Sequence, residues 1–196
     1  MTGKLLRGPS IALLAVVAAV ALGACGSNEE RVTTGTYAGE SGKNAPYLDV
    51  GPLVYQVQLS RALNPYSQED ATYLEGLTPR QRFLKPGEEW FAVFLQVRNP
   101  TSYPHVSTLH ISIYDTQNNT YYPMIPPGAN EYAYRGEVVP ANNQIPVAGS
   151  VAAMGPTGGQ VLLFRIKYES LNNRPLTLKL TAPGHPSQFA QATLDV

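Results

Sequence analysis

The residue with the clearest chemical potential in this sequence is Cys25, the only cysteine among 196 residues. A single thiol cannot form an internal disulfide, so in an exported protein it is either a liability or a chemical handle. It follows an unbroken apolar run, residues 11–22, and a short initial segment that carries Lys4 and Arg7 without any acid. A basic segment followed by an apolar run is typical of a secretory signal. The run is also shorter than the roughly 20 residues that a membrane-spanning helix needs.

The segment Leu22-Gly23-Ala24-Cys25 resembles the lipobox of bacterial lipoproteins. The resemblance implies that a diacylglyceryl group is attached to the cysteine sulfur and that the preceding signal peptide, residues 1–24, is removed. Two or three acyl chains, at ~0.8 kcal/mol per buried methylene, would hold the protein on the membrane far better than one chain. We therefore predict a lipid-anchored protein outside the cytoplasmic membrane, at the cell surface or in the periplasm. The alternatives are a plain signal peptide cut after Ala24 and an uncleaved short anchor.

The composition of the chain favours short strands joined by turns. Only 14% of residues are charged, whereas the chain has 17 glycines, 17 prolines and 12 tyrosines. The formal net charge is zero, so the chain has no electrostatic footprint for nucleic acid. Residues 25–46 are rich in small, polar and charged side chains and predict a flexible tether. The alternative is a segment that becomes ordered on a partner.

Residues 47–196 predict one all-β domain, because apolar side chains recur there with a period of two. In the first predicted strand, Leu53, Tyr55, Val57 and Leu59 share a face. The strongest alternation covers residues 90–98 and has apolar side chains on both faces, which indicates a central strand. The predicted strands cover residues 53–60, 90–98, 109–115, 120–124, 144–151, 161–168, 176–181 and 192–196.

A short helix is predicted only over residues 67–76, where Ser67 and Asp70 have the spacing of a capping box. Seven or eight short strands with so little helix indicate an antiparallel immunoglobulin-like β-sandwich, with a jelly roll as the alternative.

Three further segments carry a resemblance to a known family: EWFAVFLQVRNPT at 89–101, LHISIYDTQNNTYYPM at 109–124 and VLLFRIKY at 161–168. Their order is similar to that in bacterial exported lipoproteins with an immunoglobulin-like domain of unknown function. The resemblance covers residues 48–196 and lies in strand patterns and turns. It implies an accessory protein of the envelope with a binding role.

Tyrosines supply the candidate binding surface. A tyrosine ring is a rigid apolar body with a polar tip, which suits recognition surfaces, although such rings also cover the ends of small sandwiches. The candidates lie in or beside predicted loops: Tyr66, Tyr73, Tyr103, Tyr121, Tyr122, Tyr132 and Tyr134.

The sequence contains no catalytic motif, and no cofactor or metal site is predicted. The histidines lack the spacing of a zinc site, and an acid pair would need Asp115 to meet Glu131 or Glu137. We therefore predict a non-catalytic binding or adaptor module with a protein or glycan partner. The alternatives are an envelope hydrolase or metal-dependent enzyme, and a structural subunit of an envelope or transport complex.

The lipobox gives a first testable prediction. The Cys25→Ala variant should carry no lipid, remain uncut before residue 25 and be lost from washed membranes, because it lacks the acceptor sulfur. Mass spectrometry of the mature protein measures the modification directly. An unmodified Cys25 in the wild-type protein would exclude lipid attachment.

Overall fold

Strands dominate the part of the chain that the computed structural model describes, which is residues 32–36, 46–126, 128 and 130–194. The strands are β1 (Val32–Thr36), β2 (Tyr47–Val50), β3 (Leu53–Leu63), β4 (Glu88–Arg98), β5 (His105–Val106), β6 (Ile111–Tyr114), β7 (Thr120–Tyr121), β8 (Val138–Val139), β9 (Gln144–Ile145), β10 (Gln160–Lys167), β11 (Leu176–Ala182) and β12 (His185–Leu194). The helices are α1 (Gln68–Tyr73), α2 (Pro79–Arg82), α3 (Val151–Met154) and α4 (Tyr168–Asn172).

Two sheets form the predicted all-β sandwich. The first sheet has the order β1-β12-β11-β6-β7, and the second has the order β10-β4-β3-β2 with β9 also paired to β4. All these pairs are antiparallel except β1 with β12. Strands β3, β4 and β10 occupy the places of A, B and E in an immunoglobulin-like domain, and β6, β11 and β12 those of C, F and G. A separate two-stranded sheet, β5 with β8, lies where the chain crosses between the two sheets.

The core between the sheets begins with strand β4, which lies between β3 and β10 as its pattern predicts. Phe91, Val93, Leu95 and Val97 are fully buried in this core. The facing sheet contributes the alternating leucines of β11, which are also fully buried. The predicted alternation of β4 and β11 is therefore confirmed.

The outer face of β4 is buried as well. Trp90, Ala92 and Phe94 belong to a second apolar cluster, which Tyr73 of α1 joins and against which Met124 and Tyr132 pack. The Tyr73 ring packs edge-on against Phe94 with 4.9 Å between ring centroids, and against Tyr132 at 5.2 Å. Strand β4 is thus apolar on both faces, because the facing sheet buries one face and the second apolar cluster buries the other.

Strand β3 changes phase in its middle. Val57 pairs with Leu95, but Leu59 pairs with Phe94, so Gln58 is an extra residue in the ladder. Such a bulge exchanges the two faces of the strand beyond it. Leu59 therefore packs against the outer cluster, and the prediction that it shares a face with Val57 is wrong.

Several other predicted strands have wrong bounds. Strand β6 covers only residues 111–114 of the predicted 109–115, β7 only 120–121 of 120–124, and β12 begins at residue 185 and not at 192. Of residues 144–151, only Gln144–Ile145 form a strand, and the chain then turns at Gly149 into α3. The Ser150 hydroxyl accepts a hydrogen bond from Ala153 N and caps that helix. Tyr168 is predicted as the last residue of a strand, but it begins α4 and is exposed.

Strand β1 lies inside the segment predicted as a tether. It runs parallel to β12, with Val32 beside Phe189 and Thr36 beside Thr193. The sequence analysis did not predict this strand. The other residues of the predicted tether, the predicted signal peptide and Cys25 lie outside the described residues, except for Pro46. No helix in the described segments is long and apolar enough to cross a membrane.

The two-sided burial of β4 generates a stability prediction. Leu95→Ala should lower the free energy of unfolding by ~2–5 kcal/mol, through lost transfer energy and a residual cavity. Arg98→Ala on the same strand should change it by less than ~0.5 kcal/mol, because Arg98 is exposed. Chemical denaturation of residues 26–196, which include β1, measures both. Equal losses in the two variants would contradict the observed register.

Candidate binding surfaces

The structure separates the seven candidate tyrosines by burial. Tyr73 and Tyr134 are buried, so their assignment to a binding surface is corrected: their rings fill the two apolar clusters. Tyr121 and Tyr132 are half-buried against the same clusters. The exposed members are Tyr66, Tyr103 and Tyr122.

The exposed tyrosines do not form one surface. Tyr66 follows the end of β3, where Leu63 pairs with Trp90 near the start of β4. Tyr103 follows the opposite end of β4, which is 11 residues long and thus spans roughly 33 Å at 3.3 Å per residue. Tyr122 lines a pocket on the other sheet. We therefore consider the surroundings of each ring separately.

Tyr66 borders a groove at the lower end of the second sheet, which we define as the end where β4 begins. The groove has a volume of about 380 Å³. Phe83, which is 66% exposed, lies on its rim together with Tyr66, which is 96% exposed. The lining consists of Pro65, Tyr66, Ala71, Leu74, Arg82, Phe83, Leu84 and Trp90. The lining side chains are therefore aliphatic or aromatic except for that of Arg82, the one charged lining residue.

An ion pair fixes α1 beside the groove. Arg61 on β3 donates two hydrogen bonds to the Asp70 carboxylate, one of them 2.9 Å long, and Asn64 N donates a third at 2.8 Å. Burial raises the pKa of Asp70, but the Arg61 and Asn64 hydrogen bonds outweigh it and leave the pKa below its usual value. The predicted capping box at Ser67 is absent, because Asp70 turns toward Arg61 and Ser67 makes no side-chain cap.

A buried asparagine fastens the other end of α1. The Asn130 side-chain amide donates to the carbonyl oxygens of Tyr73 and Glu75, both at 3.0 Å. The Asn130 side-chain oxygen accepts from Tyr132 N at 2.9 Å. These bonds satisfy carbonyls that the end of a helix leaves free, and they join α1 to the segment that covers the sheet.

Helix α2 presents the rim residue Phe83. Thr78 and Gln81 form a capping box in which each side chain accepts a hydrogen bond from the other residue's backbone N–H. Pro79 occupies the first helical position, and Phe83 follows the last residue, Arg82. No helix is predicted at residues 79–82 from the sequence, although the spacing Thr78-Pro79-x-Gln81 is a recognised start signal for a helix.

The pocket beside Tyr122 is smaller and lies on the outer face of the first sheet. Its volume is about 270 Å³, and its lining includes Leu109, His110 and Lys179. The Lys179 ammonium lies 4.3 Å from the centroid of the Phe189 ring, which is a cation–π contact. This contact already gives Lys179 a partner, so the pocket has a weaker claim to a ligand than the groove.

The carboxylates considered for acid–base chemistry lie apart. Asp115 follows β6 at the lower end of the sandwich, whereas Glu137 lies beside β8 at the opposite, upper end. Asp115 is buried and accepts hydrogen bonds from Gln117 N, Asn119 N and the side-chain amides of Asn119 and Asn173. It therefore anchors the β6–β7 loop. Within the described segments, no group of three or more His, Cys, Asp or Glu residues is arranged to hold a metal ion.

Comparison with known proteins gives only distant similarities to solved structures. No protein-family model matches it, and no curated protein matches it at a significant level. Among solved structures, it is similar to the yjhA protein of Bacillus subtilis, with 9% identity, a TM-score of 0.49, and 76% of this chain and 97% of that one covered. An uncharacterized β-sandwich protein of Clostridium difficile has 9% identity, a TM-score of 0.46, and coverages of 86% and 99%.

A third similar structure is ycdA of Bacillus subtilis, described as a candidate lipoprotein, with 8% identity and a TM-score of 0.45. The alignment covers 78% of this chain but only 39% of the length of ycdA. At these scores and identities, the similarities assign no activity.

The surroundings of Asp115 predict a pH dependence of stability. Burial raises the pKa of Asp115, but hydrogen bonds from Asn119, Ser170 and Asn173 outweigh it and lower the pKa from its usual 3.8 to about 2. The stabilisation is therefore complete above the unfolded value and is lost as pH falls toward about 2. Asp115→Asn should flatten this acid limb in thermal melts. Glu131→Gln, at an exposed carboxylate, is the control, and an unchanged acid limb in Asp115→Asn would contradict the assignment.

Proposed function

We propose that this protein is a lipid-anchored, non-catalytic binding module of the cell envelope. In this proposal, Cys25 attaches the chain to the membrane and the sandwich presents its lower groove to a protein partner. One observation carries the binding role: Tyr66 and Phe83 are exposed on the rim of the groove that α1 and α2 form.

The framework of the groove supports binding because its walls are held in place. The Arg61–Asp70 pair and the Asn130 amide fix α1 against the sheet, and the capping box orders the first turn of α2. A prearranged site loses less conformational entropy when a ligand binds. The exposed rings can thus contact a partner without a large rearrangement of the groove.

The lining favours a peptide side chain over a sugar. Its floor consists of aliphatic and aromatic side chains such as Leu74 and Leu84, with Arg82 as the single charged group. A sugar needs many hydrogen bonds for its hydroxyls, and of the lining side chains only Tyr66, Arg82 and Trp90 carry a hydrogen-bonding group. An apolar side chain next to an acidic residue fits this lining, because the acid can pair with the Arg82 guanidinium.

Site-specific photo-crosslinking in intact cells tests the proposal. Phe83 is replaced by a photoreactive phenylalanine analogue, which should give one discrete protein adduct upon irradiation. Tyr66→Ala in the same chain should reduce the adduct yield about tenfold, since loss of an interface anchor costs more than 1 kcal/mol. Tyr122→Ala, which removes an exposed ring on the other sheet, should leave the yield unchanged.

The two exposed arginines of α2 provide a matched charge control. Arg82 lines the groove, whereas Arg80 does not, so Arg82→Glu should abolish the adduct and Arg80→Glu should preserve it. Equal effects of the two substitutions would contradict recognition by the groove. An adduct with a glycan and none with a protein would contradict the proposed class of partner.

A further inference from the structure

The start of β1 limits how far the domain can lie from a lipid on Cys25. Only six residues separate Cys25 from Val32, the first residue of β1. Seven Cα–Cα steps span at most about 25 Å when the chain is fully extended. If Cys25 carries the lipid, as the proposed function requires, the first residue of β1 therefore lies within that distance of the bilayer surface.

The strand ladder shows at which end of the sandwich β1 begins. Val32 pairs with Phe189, and Phe189 pairs with Thr181 on the next strand. Thr181 N in turn donates a hydrogen bond to His110 O, just before β6. β1 then runs parallel to β12 and toward the lower end. The chain thus enters the sandwich at the upper end, opposite the groove.

Two segments, residues 98–109 and 135–145, form a cap over this upper end. The Asn99 side-chain amide joins them by donating to the carbonyl oxygens of Tyr103 and Val139. The small sheet of β5 and β8 lies within the cap and pairs Val106 directly with Val138. Both valines are 57% exposed, and Tyr103 and Leu109 in the same cap are also exposed.

The charge of the cap is compatible with an anionic bilayer. Its two segments contain Arg98, Arg135 and one acid, Glu137, but Asp49 lies beside Val54, the partner of Arg98, at the same end, and the Arg135 guanidinium donates to Asn130 O. The cap is therefore close to electrically neutral, and its exposed apolar side chains carry the contact with lipid. Aromatic and aliphatic groups of this kind enter the headgroup region.

We infer that the cap docks on the surface of the bilayer to which Cys25 is attached, with Val106, Val138 and Tyr103 as the contacting side chains. The six-residue spacer holds the cap close to the lipid headgroups. The groove with Tyr66 and Phe83 then faces away from the bilayer, where a partner can reach it.

Cysteine-directed labelling tests this orientation with the full lipidated protein. The chain has no cysteine other than Cys25, so an introduced cysteine is the only free thiol after lipid attachment. Val106→Cys and Tyr66→Cys are each labelled with a fluorophore and incorporated into vesicles of phosphatidylcholine and phosphatidylglycerol. With a quencher attached to the lipid headgroups, the label at position 106 should lose most of its fluorescence, and the label at position 66 should retain most of it.

Spacer length provides the matched control. Inserting a long Gly-Ser segment between residues 26 and 31 removes the restraint that holds the cap near the bilayer. Quenching at position 106 should then fall only partly, because the cap itself has affinity for lipid. A further change of Val138→Asp in that long-spacer chain should then abolish the remaining quenching.

Two results would overturn the inference. Equal or stronger quenching at position 66 would contradict the orientation, and disulfide-linked Val106→Cys dimers without quenching would mean that the cap pairs with a second copy. Mass spectrometry of Cys25 separates these results from a failure of lipid attachment itself, which would overturn the proposed function.

Discussion

One buried residue, Thr108 on the connection from β4 to β6, links the two sheets through its backbone N–H, its carbonyl oxygen and its hydroxyl. Thr108 N donates to the Tyr55 hydroxyl at 2.8 Å, and the Tyr134 hydroxyl donates to Thr108 O at 2.7 Å. The Thr108 hydroxyl donates to Thr181 O on the facing sheet. A buried backbone group without partners would cost ~1–3 kcal/mol, and here tyrosines supply the partners. Burial raises the pKa of Tyr55 to about 12, so its hydroxyl stays neutral at physiological pH.

These hydrogen bonds determine the position of the cap and thereby make the two ends of the sandwich different. Because Thr108 is bonded to Tyr55 on one sheet and Thr181 on the other, the chain segments around it are fixed at the upper end. The ladder continues from Thr181 through Phe189 to Val32, which places the entry of the chain at the same end. The groove depends on a different set of contacts, centred on Asp70 and Asn130. The cap at the upper end and the groove at the lower end are therefore held in place by separate sets of hydrogen bonds.

The sequence predicts the parts of this fold that depend on local alternation of apolar residues. It does not predict the burial of a side chain where contacts with residues distant in the sequence determine it. The pattern of β4 predicted its buried inner face correctly, because β4 itself contains no extra residue that would interrupt its alternation. It misplaced Leu59, since one extra residue in β3 changes the phase and leaves no mark in the hydrophobic pattern. Tyr66 and Tyr134 have the same side chain, yet one is exposed and the other is buried. Tyr134 is buried because Thr108, which is 26 residues away, accepts its hydrogen bond.

In the proposed arrangement, lipid anchoring lowers the intrinsic affinity that the groove needs for a partner. A partner in the same membrane would meet the groove at an effective concentration that tethering raises, up to millimolar values for short flexible linkers. A shallow site with two exposed rings and one arginine can therefore function with modest intrinsic affinity. Its position adds selectivity, because the length of β4 holds the groove roughly 30 Å beyond the cap. With the cap on the bilayer, only partners that project at least that far from the membrane, or approach from outside it, could reach Tyr66 and Phe83.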